Sequence, residues 1–152
     1  MTRVLVLNGP NLASLGEREP DVYGGQSLAD IEVQVRERAA ALSIDVRCEQ
    51  SNHEGALVDI LEDERSRADG CIINPGGLSH TSVSLADAIR AFGHPVIEVH
   101  LSNIHAREEY RRTSLSAEAS VAVITGLGAH GYLLALDGMA RILETRAEAA
   151  QP

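Results

Sequence analysis

The sequence predicts an α/β domain, a doubly wound parallel sheet of five strands with helices on both faces. Three observations carry this. Short apolar runs alternate along the chain with segments of helical periodicity. The runs are apolar almost throughout, as strands covered on both faces must be. The 152 residues suit one domain, residues 1–152. A chain of that size can bury roughly two-thirds of its unfolded surface. About five strands and as many helices in this length point to the flavodoxin-like order 2-1-3-4-5, in which ligands bind beyond the carboxyl ends of the strands.

The elements follow in order. RVLVL, from Arg3, is the first strand, and a long Gly/Pro/Asn-rich loop follows it. Ser27 and Asp30 have capping-box spacing, and Leu28, Ile31, Val35, Ala39 and Leu42 then fall on one helical face. IDVRCEQ, from Ile44, is the second strand; Ser51 and Glu54 repeat the capping spacing ahead of a stripe of Leu57, Ile60 and Leu61. GCIINP, from Gly70, is the third strand, SVSLADAIRAF, from Ser82, a helix, and HPVIEVHL, from His94, the fourth strand. SVAVIT, from Ser120, is the fifth, and a last helix is expected from about Leu127 to about Arg146.

Composition excludes several functions. Basic residues number 13 against 22 acidic ones, a net charge of −9, which repels a phosphate backbone and argues against nucleic-acid binding. No apolar run approaches the roughly 20 residues of a membrane span, and the N-terminal apolar run is too short for a signal peptide. A cytoplasmic protein is expected. Cys48 and Cys71 sit in separate strand-like runs without metal-ligand spacing, as core thiols do. Every basic residue is arginine. The absence of lysine removes the P-loop lysine, Schiff-base catalysis and covalent pyridoxal phosphate.

Polar side chains concentrate just after three strands that the expected order makes neighbours. The first segment, NGPNLASLGEREPDVYGG, carries Arg18 and Tyr23 between glycines that can act as hinges. A tyrosine serves as a base only where cations favour its anion, and an arginine in the same loop is placed to do this; the segment also reads as an Ω-loop packed on itself. The second, NPGGLSHTS, puts Asn74 at a strand end, then a glycine pair that allows close backbone approach, then His80 before a helix capped by Thr81 or Ser82. The third, EVHLSNIHAREEYRR, places Glu98 and His100 two apart, on one face of a strand. A carboxylate beside an imidazole fixes its tautomer and suits it to acid catalysis near neutral pH; a solvated strand end is the alternative.

Gly126, Gly128 and Gly131 spell a dinucleotide fingerprint, yet only 21 residues follow Gly131, too few for a ribose-binding half. Close helix–strand packing explains them better. The scattered histidines form no H-x-x-x-H pair, so no metal is expected. A flavodoxin-like binding module for a nucleotide or flavin is the rival class, and it has no use for a Glu98–His100 pair.

Taken together, NGPNLASLGEREPDVYG, NPGGLSHTS, EVHLSNIHAREEYRR and GLGAHGYLLAL closely resemble the type II 3-dehydroquinate dehydratases, over nearly the whole chain. The resemblance implies a flavodoxin-like fold, a dodecamer built of trimers, and neither cofactor nor metal. The implied reaction is the reversible anti elimination of water from 3-dehydroquinate through an enolate to 3-dehydroshikimate, a step of the shikimate pathway or of quinate catabolism. It makes Tyr23 the base and Arg18 the lid arginine that activates it, while Asn11 holds the water at the enolate oxygen. His100, oriented by Glu98, is the acid; Asn74, His80 and Arg111 grip hydroxyls, and Leu101 and Ser102 form the carboxylate pocket. Asp87 is the acid that reaches a neighbouring subunit's site, and Arg107 has a supporting role. The type I route through a lysine imine is closed to a chain without lysine. Leu78 and His53 depart from the family's usual residues, at positions outside the chemistry.

Overall fold

A computed structural model describes residues 1–152. Five strands, β1 (Thr2–Asn8), β2 (Ile44–Gln50), β3 (Gly70–Asn74), β4 (Val96–His100) and β5 (Ala122–Thr125), form one parallel sheet in the order β2-β1-β3-β4-β5. The expected topology is therefore observed. The main helices are α2 (Leu28–Ala41), α3 (Glu54–Glu64), α4 (Val83–Phe92) and α6 (His130–Ala149); α1 (Pro20–Tyr23) and α5 (Leu115–Glu118) are single turns.

Alternation along the buried strands builds two cores. Val4 and Val6 of β1, Ile72 of β3 and Ile97 and Val99 of β4 face Ile31, Val35, Leu136 and Met139 of α2 and α6. Leu5, Leu7, Ile73 and Val96 face Leu57, Leu61, Ile89 and Phe92 of α3 and α4. Each such side chain, fully buried, contributes about 1.5–3 kcal/mol. Both faces being covered is why the strands read as unbroken apolar runs. At β4 the second face changes character after Val96, since Glu98 and His100 occupy the next two positions on it.

Some local expectations are corrected. The Ser27–Asp30 capping box forms in both directions, but Ser51 does not cap α3. His53 is the N-cap there and makes no side-chain cap bond. Ser51 Oγ instead accepts from the His53 amide, and Glu54 accepts from Ser82 Oγ at 2.6 Å. Glu54 is drawn to a hydroxyl distant in sequence, so the reciprocal pair cannot close. Ser82, not Thr81, caps α4 through the Leu85 amide. α6 starts at His130, later than expected, because Gly126 and Gly128 hold left-handed backbone (φ 90° and 57°). Gly131 does mark close packing: a Cβ there would lie 3.3 Å from Val99 Cγ1 and 3.4 Å from Ile124 Cγ2.

Candidate active site

The register brings Gln50, Asn8 and Asn74 to one level at the carboxyl ends of β2, β1 and β3. Two post-strand loops lock together just beyond. The Gly9 amide donates to the Asn74 carbonyl at 2.8 Å, and a Cβ on Gly9 would sit 2.5 Å from the Pro75 oxygen. Asn11 follows in left-handed backbone (φ 71°), its amide held by Asn52 Oδ1 at 3.0 Å. These contacts fix one wall of a cavity of about 120 Å³ in which only four of fifteen lining residues are hydrophobic.

Asn11, Arg18, Tyr23, Asn74, His80, His100, Leu101, Ser102 and Arg111 all line this cavity, although they come from four segments of the chain. Glu98 stands behind His100. Asp87 does not reach the cavity of its own chain; it lies on α4 with its side chain 69% exposed, 3.4 Å from Arg90. His53 and Leu78 also stay outside the cavity, Leu78 packing against the α3–α4 core.

Tyr23 ends the single turn α1. Pro20 starts that turn after Glu19 (φ 41°), and Gly24 (φ 86°) terminates it. Arg18 Nη2 lies 3.4 Å from the Tyr23 hydroxyl, as the sequence suggested. Arg107 Nη1 is closer, at 3.1 Å, and also donates to Ser102 Oγ at 3.2 Å. The two guanidinium carbons sit 4.6 and 5.2 Å from the ring centroid. Negative charge developing on this oxygen is therefore met by two cationic donors. Arg107 does more than support the fold, and sequence reasoning missed it because it is far from Tyr23 along the chain.

Across the cavity, His100 Nε2 donates to Glu98 Oε2 at 2.8 Å, which leaves Nδ1 as the ring nitrogen free of protein partners. Glu98 is fully buried. Burial alone would push its carboxyl up, but bonds from His100, Ser116 and Ser114 outweigh this and hold it below the usual carboxylate range. Ser114 donates at 2.7 Å to the same oxygen as His100, and Ser116 to the other. Neither serine was singled out from the sequence, where the hydroxyl-rich TSLS after Arg112 was the available signal. The same segment orients His80, whose Nδ1 lies 2.8 Å from the Thr113 carbonyl. The His80 and His100 rings are nearly parallel, 6.3 Å apart. Arg111 is braced by Glu108 at 2.7 Å. Asn74 is gripped at both ends of its amide, Oδ1 by the Gly76 amide at 3.1 Å and Nδ2 by the Tyr132 hydroxyl at 3.0 Å.

Such a fold and site define a flavodoxin-like α/β protein whose strand ends carry an acid–base constellation instead of a phosphate cradle. Residues 2–140 match the family described as Dehydroquinase class II, and the chain belongs to that family. It is 53% identical over 141 residues to a 3-dehydroquinate dehydratase of Rhizobium meliloti, covering 93% of this chain and 95% of that one. It is 47% identical over 144 residues to a catabolic 3-dehydroquinase of Verticillium alfalfae, covering 95% and 96%. The crystal structure of a type II dehydroquinase from Butyrivibrio crossotus superposes with a TM-score of 0.89 at 38% identity, over 91% of this chain and 97% of that one.

Proposed function

We propose that the protein is a 3-dehydroquinate dehydratase, removing water reversibly from 3-dehydroquinate to give 3-dehydroshikimate. The observation that carries this is the opposition, in one polar cavity, of Tyr23 with its two guanidinium donors and the Glu98–His100 pair. Tyr23, as phenolate, takes the proton from the carbon beside the ketone. The electron pair moves into the carbonyl to form an enolate, whose oxygen is stabilised by a water held on Asn11. Collapse of the enolate expels the hydroxyl, which leaves as water with a proton from His100, while Glu98 supports the imidazolium. Atoms and electrons balance without a cofactor. Base and acid on opposite sides of the ring suit anti elimination.

In this reading Arg18 and Arg107 stabilise the phenolate. Asn74, His80 and Arg111 hold the substrate's hydroxyls, and Leu101 and Ser102 its carboxylate. Asp87, turned outward in its own chain, serves the site of a neighbour in a homo-oligomer, a dodecamer built of trimers. Two unpaired cysteines suit the cytoplasm, a reducing compartment.

Purified protein given 3-dehydroquinate is expected to generate the ultraviolet absorbance of a conjugated enone. Tyr23→Phe should reduce this by more than about a hundredfold, the loss typical of a missing general base, while calorimetry still detects substrate binding. No enone from the wild-type protein, or a fall below tenfold in the variant, would falsify the assignment.

A further inference from the structure

We infer that Tyr132 and Asn8 are positioning residues of the site, fixing which edge of the Asn74 side chain faces the cavity. This rests on the reading of Asn74 as a substrate-binding residue. The three side chains are buried, Tyr132 and Asn8 at 1% exposure and Asn74 at 3%. The Tyr132 hydroxyl donates its single proton to Asn8 Oδ1 at 2.6 Å. It can therefore only accept from Asn74 Nδ2, at 3.0 Å. The Gly76 amide donates to Asn74 Oδ1. A free asparagine amide can turn over at little steric cost, exchanging donor for acceptor; this one cannot turn without breaking two bonds.

Packing does not demand these polar groups. A phenylalanine ring would fill the Tyr132 site in the core beside Val4, Val6 and Ile72. Asn8 Nδ2 is buried without a partner, an unfavourable arrangement whose one return is the acceptor that Oδ1 offers to Tyr132. What the relay secures is the second N–H and second lone pair of Asn74, the groups left for a ligand. Gly131 makes it possible, since close approach of α6 to Val99 and Ile124 puts Tyr132 under the strand ends.

The test compares wild type, Tyr132→Phe, Asn8→Ala, Asn74→Ala and Tyr132→Phe/Asn74→Ala. Tyr132→Phe is expected to raise KM roughly three- to tenfold, the worth of one hydrogen bond, and to leave kcat within about twofold. Asn8→Ala, which keeps the ring, should do the same more weakly and replaces the first variant should that one fail to fold. In the Asn74→Ala background, Tyr132→Phe should add less than about twofold. An equal KM effect in both backgrounds, or none in either, overturns the inference. A second readout needs no turnover. The Asn74 side-chain amide signals in a nitrogen-edited magnetic resonance spectrum, identified by their loss in Asn74→Ala, should shift and lose exchange protection in Tyr132→Phe. Unchanged signals overturn the inference even if the wild type proves inactive on 3-dehydroquinate, whereas that inactivity itself defeats only the proposed function.

Discussion

At the scale of single residues, the most constrained group is the Glu98 carboxylate, buried and met by an imidazole and two serine hydroxyls. Its folded-state pKa lies below its unfolded value, so its contribution to stability is complete above the unfolded value and is lost as pH falls through the folded one. Ser116→Ala removes one donor and moves the folded pKa up, which shrinks that contribution. The stability gap between wild type and variant should be widest near neutral pH and close in acid, where both carboxyls are protonated. Urea unfolding midpoints measured from neutral pH downward check this; a gap that does not change with pH would assign Ser116 to packing alone. Glu98 and His100 could be paired from their spacing on a strand. Ser114, Ser116, Arg107 and Tyr132 could not, because each meets its partner through the tertiary fold and has no local pattern to announce it.

At the scale of elements, the sequence disclosed the strands and long helices because each repeats its period several times. The single turns α1 and Gly76–His80 are too short to show a period, and they carry Tyr23 and His80. The Ser51–Glu54 spacing misled for a related reason: a capping box is a local pattern, and Glu54 has a better partner in Ser82. Glycines likewise divide by what surrounds them. At Gly9, where the loops after β1 and β3 touch, an added Cβ meets backbone oxygen at 2.5 Å, which cannot give way as a flexible side chain can. Gly9→Ala should destabilise by roughly 2–3 kcal/mol, a fall in Tm of about 5–10 °C. Gly138, within α6, has only Ile97 Cδ1 nearby at 3.6 Å. Gly138→Ala should stabilise by about 0.5–1 kcal/mol through helix propensity. Paired thermal melts test both signs; a Gly9→Ala protein as stable as wild type would mean the two loops do not lock the cavity wall.

At the scale of the whole molecule, charge is sorted. The chain is strongly acidic at −9, yet Arg18, Arg107 and Arg111 converge on the cavity, a local positive field suited to a carboxylate ligand. The outward Asp87 gives the proposed assembly a sharp consequence. If it completes a neighbour's site, no chain alone owns a whole one, and activity depends on oligomerisation. Tyr23→Phe and Asp87→Ala would each be strongly impaired. Dissociated, mixed in equal amounts and reassembled, they give an intact site wherever a chain carrying Tyr23 adjoins one carrying Asp87. Random mixing places both in about a quarter of sites. Recovery of roughly that fraction of wild-type activity is expected, with mass spectrometry of the intact oligomer verifying that hybrids formed. Hybrids that stay at the parents' residual rate would show that Asp87 contributes nothing across an interface, and the assembly would then need another reason to exist.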